Sequence, residues 1–585
     1  MTVADRVLPI FDMLERPDPL EEYFGDSADP ANPLGDAAFL DADERGELLP
    51  AGERLLAAYA LNAEFVPQRL GGRLAGLDRL GRLLRPVFSR DAALALGYGA
   101  SNLVGAVNVW ADGSGKQQRG LAHLLLGGGR VSAAYTDLAT GNDVVRSAFS
   151  ARRDGDQLLL NGRKEIINNL ARAEAITVLA RTGEEPGSRS HSLLLLDRAA
   201  LPRDGYELLP RYRTAGVRAM YLGGMAFRDC AVPASSIVGE PGHALETILR
   251  AFQVTRAVLP SAALGGMDSA LRTVAAFSAT RRLYGRRVAD LPHARAVLAG
   301  AFVDTLICDS LATTACRAVH VLPHQSAMYS AAVKYAVPLL LRDAVDDLAV
   351  VLGARSFLRS GPHAVFQKHL RDLPVAALVH AGGTVCQATM IPQLRSLSRT
   401  WLRAAAAGPE LFGLDAPLPD LDLPGLSVIA TGDDAVLATL WQLRDALPPD
   451  GTLRRLCDAF VAEIGELKGR CAALAPRDQG PLAGPGAFTI AHRYAMVLAA
   501  AACLGVWQHN RTHPDPFFRD DIWVVAALSR LARRIGRPTG AADLPDGVAT
   551  EVFERYEHGR AFDLVGRAVS TTHRQFDHRM IGATR

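Results

Sequence analysis

Apolar residues recur at three- and four-residue spacing over residues 55–129, and this helical period closes at the glycine-rich LLGGGR of residues 125–130. From 130 to about 241 the period shortens. Runs such as VSAAYT, QLLLNG, AITVLAR, HSLLLLD and MYLGGMAF, punctuated by Asp154-Gly155 and Asp204-Gly205, predict an antiparallel β domain. Helical spacing returns over 244–407, where Leu245, Ile248, Leu249 and Phe252 form one apolar stripe and residues 331–352 another. A Pro/Gly/Leu-rich connector at 408–425 precedes amphipathic segments near 433–447, 452–474, 486–508, 519–535 and 549–569. The pattern predicts an α+β chain in four parts. These are an N-terminal helical domain (1–129), a middle antiparallel β domain (130–243), a helical bundle (244–407) and an additional C-terminal helical domain (408–585).

Composition narrows the partners. A chain of 585 residues with 49% hydrophobic residues can bury a large core. With 64 Lys+Arg against 62 Asp+Glu, and no run of like charge, it has no stripe for tracking phosphates, so no nucleic-acid partner is expected. The first twenty residues lack the basic start and unbroken apolar stretch of a secretory signal, so a cytoplasmic location is expected. The most apolar run, residues 494–507, reads as a buried helix too short to cross a bilayer, so no membrane span is expected. Seven cysteines without C-x-x-C spacing argue against both zinc and a disulfide framework. His509 and His513 stand four apart, but Asn510 and Pro514 favour a polar helix end, so no metal site is expected. No G-x-x-x-x-G-K-[ST], G-x-S-x-G or H-E-x-x-H motif occurs.

Three segments carry a resemblance. TDLATGND (136–143) is similar to T-E-P-x-A-G-S-D, LNGRKEIINN (160–169) to N-G-x-K-x-W-I-T-N, and FRDCAVPASSIVGEPG (227–242) to F-x-D-V-x-V-P-x-x-N-x-L-G-x-x-G. AFQVTR (251–256), RRLYGRR (281–287) and LRDL (370–373) follow in the same order, so that over about residues 50–400 the chain resembles the acyl-CoA dehydrogenase family. The resemblance implies an acyl-CoA dehydrogenase-like fold, FAD as cofactor, and an acyl thioester substrate carried by coenzyme A or a carrier protein. It also implies a homo-oligomer, a dimer or tetramer, and leaves the electron acceptor open.

A Thr followed by small residues and Gly at 136–141 allows backbone N–H groups to approach a polar ring edge or phosphate closely. Through the resemblance, Thr136, Gly141, Ile166, Asn168 and Thr384 are expected at the flavin. Ile166 and Asn168 replace the family's Trp and Thr. Asn142, which replaces a Ser, is expected near the pantetheine, and Arg256 and Gln253 near the thioester's polar tail. Arg256 read alone is a solvated or ion-paired helix end, and Gln253 read alone is a surface residue. Arg281 matches the arginine that reaches the FAD pyrophosphate of a neighbouring subunit. Gly353 belongs to LGARSF, which resembles F-G-G-x-G-F; Ala354 and Ser356 replace two glycines and Val350 a Gln, bulk that would crowd the adenosine.

The family's base is what this chain lacks. Removing the proton α to a thioester carbonyl requires a general base within hydrogen-bond reach. In RDLPVAALVHAGGTVCQ (371–387) the family's Glu falls on Gly382 when counted back from Gly383-Thr384, and on His380 when counted forward from Arg371-Asp372. The alternative family location is Thr255, and no Asp or Glu occurs over 373–409. His380 is the candidate substitute, since an imidazole accepts a proton near neutral pH; its other reading is a structural histidine. Three functions remain open: an FAD-dependent oxidoreductase acting on CH–CH bonds, a flavin-dependent monooxygenase on the same fold, and a catalytically silent subunit or binding protein.

Overall fold

The computed structural model of the chain describes residues 8–184, 187–378, 381–403, 405–539 and 544–571. Helices begin earlier than the apolar period suggests. α1 (Pro19–Phe24), α2 (Asp36–Arg45) and α3 (Pro50–Ala58) precede α4 (Leu77–Leu83), α5 (Arg85–Arg90), α6 (Ala92–Asp112) and α7 (Gly115–Leu126). The first three are too short to show a period, and end signals define them better: Asp18 caps α1 by accepting from the Leu20 and Glu21 N–H groups. Ser114 and Gln117 close a capping box on α7, and the chain leaves the helix at Gly127.

Eight strands form one sheet among the described residues: β1 (Val131–Ala134), β2 (Ser150–Asp154), β3 (Gln157–Asn168), β4 (Ala175–Arg181), β5 (His191–Asp197), β6 (Tyr206–Leu209), β7 (Leu222–Pro233) and β8 (Ile237–Val238). Their order is β6-β7-β3-β2-β4-β5-β8, with β1 beside β4. The expectation of a purely antiparallel sheet is corrected here, because β1 runs parallel to β4, pairing Val131 with Ala175. The chain enters the sheet directly from α7, with no hairpin to reverse it. The sheet keeps its own core around Phe149, Leu160, Ile176, Leu194 and Phe227.

The bundle comprises α8 (Ala244–Thr280), α9 (Pro292–Val321), α10 (Ser326–Leu352), α11 (Ala364–Asp372) and α12 (Gly383–Leu397). Its close packing on the N-terminal domain rests on Gly265, where an added Cβ would stand 2.1 Å from the Arg85 carbonyl oxygen. The C-terminal helices are α13 (Ala435–Ala446), α14 (Thr452–Ala472), α15 (Pro485–His509), α16 (Ile522–Arg534) and α17 (Asp546–Glu557). One apolar core runs unbroken from Leu20 to Leu564, so these helices extend the bundle rather than hang from it.

α15 is longer than its apolar run implied. It is one of three helices, with Ala92–Asp112 and Pro292–Val321, long and apolar enough to cross a membrane by length and composition. Within the fold their apolar windows are 78%, 100% and 89% buried respectively.

The last predicted segment, 549–569, is helical only to Glu557. Gly559 turns the chain at φ +60°, and residues 560–568 fold back on themselves through an Arg560–Ala568 bridge. Buried charge holds them there. Asp563 accepts from Arg567 Nε at 2.7 Å and from Arg85 Nη1 of α5 at 3.2 Å, while the Leu564 N–H donates to Asp309 of α9.

Candidate active site

Three parts of the chain converge on one place. The loop at 136–143 leaves β1, and Asp137 ties it down by accepting from the Thr140 N–H and hydroxyl and from Ser147 Oγ, all at 2.8 Å. Lys164 on β3 supports the loop from beneath, donating to the Tyr135 carbonyl at 3.0 Å and to Ser147 Oγ at 3.2 Å. Burial pushes the Lys164 ammonium down to about 8, with Asp137 acting in the opposite sense. Thr136 is half-buried, Gly141 sits at φ +55° and Asn142 is exposed.

The end of β3 is bulged. Its register against β7 shifts between Glu165 and Ile167, which puts Ile166 at φ +56° with 44% of its surface exposed. Just beyond, Asn168 Nδ2 donates to the Leu96 carbonyl at 3.0 Å, and Asn169 Nδ2 to that of Gly97 and to Ser101 Oγ. The two carbonyl acceptors come from a widened, π-type turn of α6 at Ala95–Ala100, whose carbonyls are displaced from the regular helical ladder. Asn168 Oδ1 is left buried without a partner. An orphaned acceptor of this kind, beside an exposed apolar side chain and an open backbone loop, fits the polar edge of a flavin ring.

The third part is the N-terminus of α12. A Cβ built on Gly382 would lie 4.0 Å from Asn142 Nδ2, so the β-domain loop and the start of α12 face each other; Thr384 is exposed on that first turn. Gly383 abuts Tyr335 of α10, whose hydroxyl meets His492 Nδ1 of α15 at 2.9 Å. His380 lies outside the described residues. Thr255 is buried and donates to the Phe252 carbonyl at 3.4 Å. Asp372 is fully engaged, accepting from Lys368 Nζ at 2.6 Å, Arg371 Nε at 3.0 Å and the Val217 N–H at 2.6 Å. Burial opposes its charge, but Lys368 and Arg371 win and hold the Asp372 carboxyl below the usual range.

Several expectations change. Gln253 is neither a surface residue nor free for a ligand: it is 1% exposed, donates to the Ser427 carbonyl at 2.8 Å and accepts from Ser326 Oγ at 2.6 Å. It pins the C-terminal connector. Arg256 is not solvated, and among the described residues it is not ion-paired: it is 2% exposed, stacked over Phe252 at 5.2 Å, with Nε unpartnered. At LGARSF, Ala354 is exposed and Ser356 folds inward, its hydroxyl donating to the Gly353 carbonyl at 2.8 Å. Gly353 itself, at φ +63°, has open space where a Cβ would stand. Arg281 caps the C-terminal end of α8 on the surface, an end where Arg355 stacks on Phe277 at 5.5 Å.

Lys334 was not among the expected site residues. It stands alone in the apolar run SAAVKYAVPLLL, a signal open to view, and in the fold it is 1% exposed with its ammonium on the Ala376 carbonyl. Burial pushes it down to about 8.

A helical domain, a sheet and a helical bundle that meet at a clamped polar loop and a glycine-led helix start define an acyl-CoA dehydrogenase-type architecture. Residues 132–230 match the acyl-CoA dehydrogenase middle domain, and residues 243–391 the acyl-CoA dehydrogenase C-terminal domain. Over these two stretches the chain is similar to the acyl-CoA dehydrogenase family. A probable acyl-CoA dehydrogenase of Mycobacterium leprae is 26% identical over 260 residues, 44% of this chain and 66% of its own. The short-chain specific mitochondrial enzyme of Homo sapiens is 26% identical over 257 residues, 42% of this chain and 60% of its own. The chain therefore spans slightly less than two thirds of these relatives' length. Among solved structures, butyryl-CoA dehydrogenase from Megasphaera elsdenii shares the fold over 65% of this chain and 96% of its own (TM-score 0.58, 18% identity). An acyl-CoA dehydrogenase complexed with FAD from Bacillus anthracis follows 95% of this chain and 96% of its own (TM-score 0.66, 14% identity), the C-terminal helices included.

Proposed function

We propose that the protein is an FAD-dependent oxidoreductase acting on an acyl thioester, carried by coenzyme A or a carrier protein. The observation that carries this is the convergence of Asn168, with its orphaned Oδ1, the loop at 136–142, and the start of α12 at Gly382. Asn168 Oδ1 would accept from a ring N–H, Thr136 and the backbone around Gly141 would line the ring edge, and Ile166 would cover its apolar part. FAD, when bound, supplies a hydride acceptor. Asn142 would orient the pantetheine by hydrogen bonding, and the first N–H groups of α12 would favour negative charge developing on the thioester oxygen. His380 is proposed to take the α-proton. Arg281 and Gly353, beside exposed Val350 and Phe357, support a subunit contact that completes the adenosine end, hence a homo-oligomer.

The lack of any Asp or Glu over residues 373–409 favours a second reading on the same fold, in which reduced flavin and oxygen hydroxylate the substrate and no α-proton is taken. Purified protein mixed with FAD and gel-filtered should keep the visible flavin bands, and a saturated acyl thioester added without oxygen should bleach them. Bands that persist with thioester while a reductant drives oxygen uptake would favour hydroxylation. A colourless protein that refuses FAD would remove both readings and leave a silent subunit.

A further inference from the structure

A cavity of about 400 Å³ lies between the N-terminal segment, α4, Arg317 of α9 and the C-terminal connector, and shares no residue with the candidate active site. Leu8, Ile10, Met13, Leu83, Leu414 and Leu418 give it apolar walls, and its volume falls in the range of small-molecule sites. Arg317 is the single lining residue inside the two stretches that match the family, so the likeness implies nothing about this cavity. Hydrogen bonds hold its walls in place. His320 of α9 accepts from the Leu77 N–H at 3.2 Å and donates to the Pro419 carbonyl at 2.9 Å, while Arg317 reaches the Glu410 carbonyl at 3.0 Å and that of Ala416 at 2.6 Å.

Charge in this cavity is uneven. Four arginines line it, Arg79, Arg82, Arg317 and Arg567, against two buried acids, Asp18 and Asp78. Asp18 stands 3.4 Å from Arg567 and Asp78 2.9 Å from Arg317, so both acids are engaged. The two arginines of α4 are left over. Arg82 is 7% exposed, yet among the described residues its guanidinium spends one of its five N–H groups, from Nη1 to Asp78 at 3.3 Å, and its Nη2 is enclosed without a partner. Arg79, half-buried, donates its backbone N–H to Asp78 at 2.8 Å, and its side chain makes no hydrogen bond or ion pair among the described residues. Asp415 and Asp420, the other lining acids, are exposed, where water screens them. An arginine stays charged when buried, so the cavity combines unspent donors and surplus positive charge with apolar walls.

We propose that this cavity is a binding site for a medium-chain aliphatic carboxylate, its head on Arg82 and Arg79 and its tail along Leu8, Ile10, Met13 and Leu418. One carboxylate matches the one buried cation that has no acid to itself, and its two oxygens match the guanidinium fork. The volume holds roughly a dozen water-sized groups, enough for that head and a tail of about eight carbons. The ligand would bridge the N-terminal helices, the bundle and the connector. The acyl-thioester reading plays no part in this site, which stands or falls without it.

Calorimetric titration of the full-length protein with octanoate tests this, with hexanoate and 1-octanol beside it. Octanoate should bind saturably at one site per chain and about tenfold more tightly than hexanoate, since each buried methylene contributes roughly fourfold. 1-Octanol, the same tail without the charge, should bind at least about tenfold more weakly than octanoate. Arg82→Met should bring octanoate down to the level of 1-octanol and leave 1-octanol unchanged; Asp78 keeps Arg317 in that variant. Arg79→Gln should weaken octanoate by a smaller factor, because that guanidinium is partly in water. Leu83→Trp fills the cavity and keeps all four arginines; it should abolish octanoate binding and serves if Arg82→Met does not fold. Absence of saturable octanoate binding, or equal binding of 1-octanol, overturns the proposal. So does octanoate binding that survives Arg82→Met or Leu83→Trp, which would place the ligand elsewhere, the candidate active site included.

Discussion

Lys368→Met is the perturbation whose outcome the structure constrains most tightly. Lys368 is 1% exposed and its ammonium stands 2.7 Å from Asp91 Oδ1, 2.6 Å from Asp372 Oδ2 and 3.9 Å from Asp43 Oδ1. Asp91 belongs to the start of α6, Asp43 to α2 and Asp372 to the end of α11, where it also receives the Val217 N–H of the β domain. Methionine fills the volume but leaves three buried acids with Arg371, which reaches Asp43 at 2.7 Å and Asp372 at 3.0 Å, and the more distant Arg218, 3.6 Å from Asp43. Removing one partner of a buried pair costs about 3–5 kcal/mol. A domain of about 150–250 residues moves by roughly 2–4 °C per kcal/mol, so a fall of about 6–20 °C is expected at pH 7.5, smaller if the whole chain melts as one unit.

The pH dependence gives a second, independent check. Lys368 and Arg371 hold the Asp372 carboxyl below its ordinary range, so its stabilising contribution is present above that range and lost as pH falls. Without Lys368, Asp91 and Asp372 take up protons at higher pH and so relieve their own repulsion. The deficit of the variant should therefore be largest at neutral pH and shrink towards about pH 5. Differential scanning calorimetry of both proteins from pH 5 to 8 measures it. A melting point within about 2 °C of native at pH 7.5, or a deficit that is unchanged at pH 5, would refute the assignment of Lys368 as the keystone of this junction.

Other perturbations follow from the same packing. Asp563→Asn leaves Arg85 and Arg567 short of an anion and should lower the melting temperature by several degrees, with α17 losing protection first in hydrogen exchange. Gly265→Ala gains about 1 kcal/mol of helix propensity but drives a methyl to 2.1 Å from the Arg85 carbonyl; net destabilisation of about 1–3 kcal/mol in denaturant titration is expected, and a neutral result would mean that α8 and α5 separate easily. Asn168→Leu removes both the orphaned acceptor and the donor to Leu96, and should weaken FAD retention on gel filtration while the far-ultraviolet dichroism stays native.

The order of helices, sheet and helices was legible because periodicity and six ordered motifs agree, and each motif is local. What escaped was long-range. Gln253 could be placed on a helix from its neighbours, but its partners, Ser326 and Ser427, lie 73 and 174 positions away. Nothing around Arg256 in the chain shows that no acid would come near it. The segment at 549–569 keeps a plausible apolar pattern past Glu557, yet Asp563 is claimed by Arg85 across 478 positions, and a buried ion pair outweighs a few tenths of a kcal/mol of helix propensity per residue. At the site, the loop at 136–143 and the bulge at Ile166 could be read as exceptional chemistry in a regular pattern. The widened turn of α6 that receives Asn168 and Asn169 left no trace in residue type alone.

The Arg85–Asp563 contact also sets a constraint in time. A ribosome releases α5 long before it reaches residue 563, so the guanidinium that the finished fold buries at 1% exposure, even once Asp309 of α9 has paired with it, waits for its second carboxylate until nearly all the remaining chain is made. The N-terminal helices of this protein thus cannot mature as an early, independent unit during translation. Their completion coincides with the arrival of the tail.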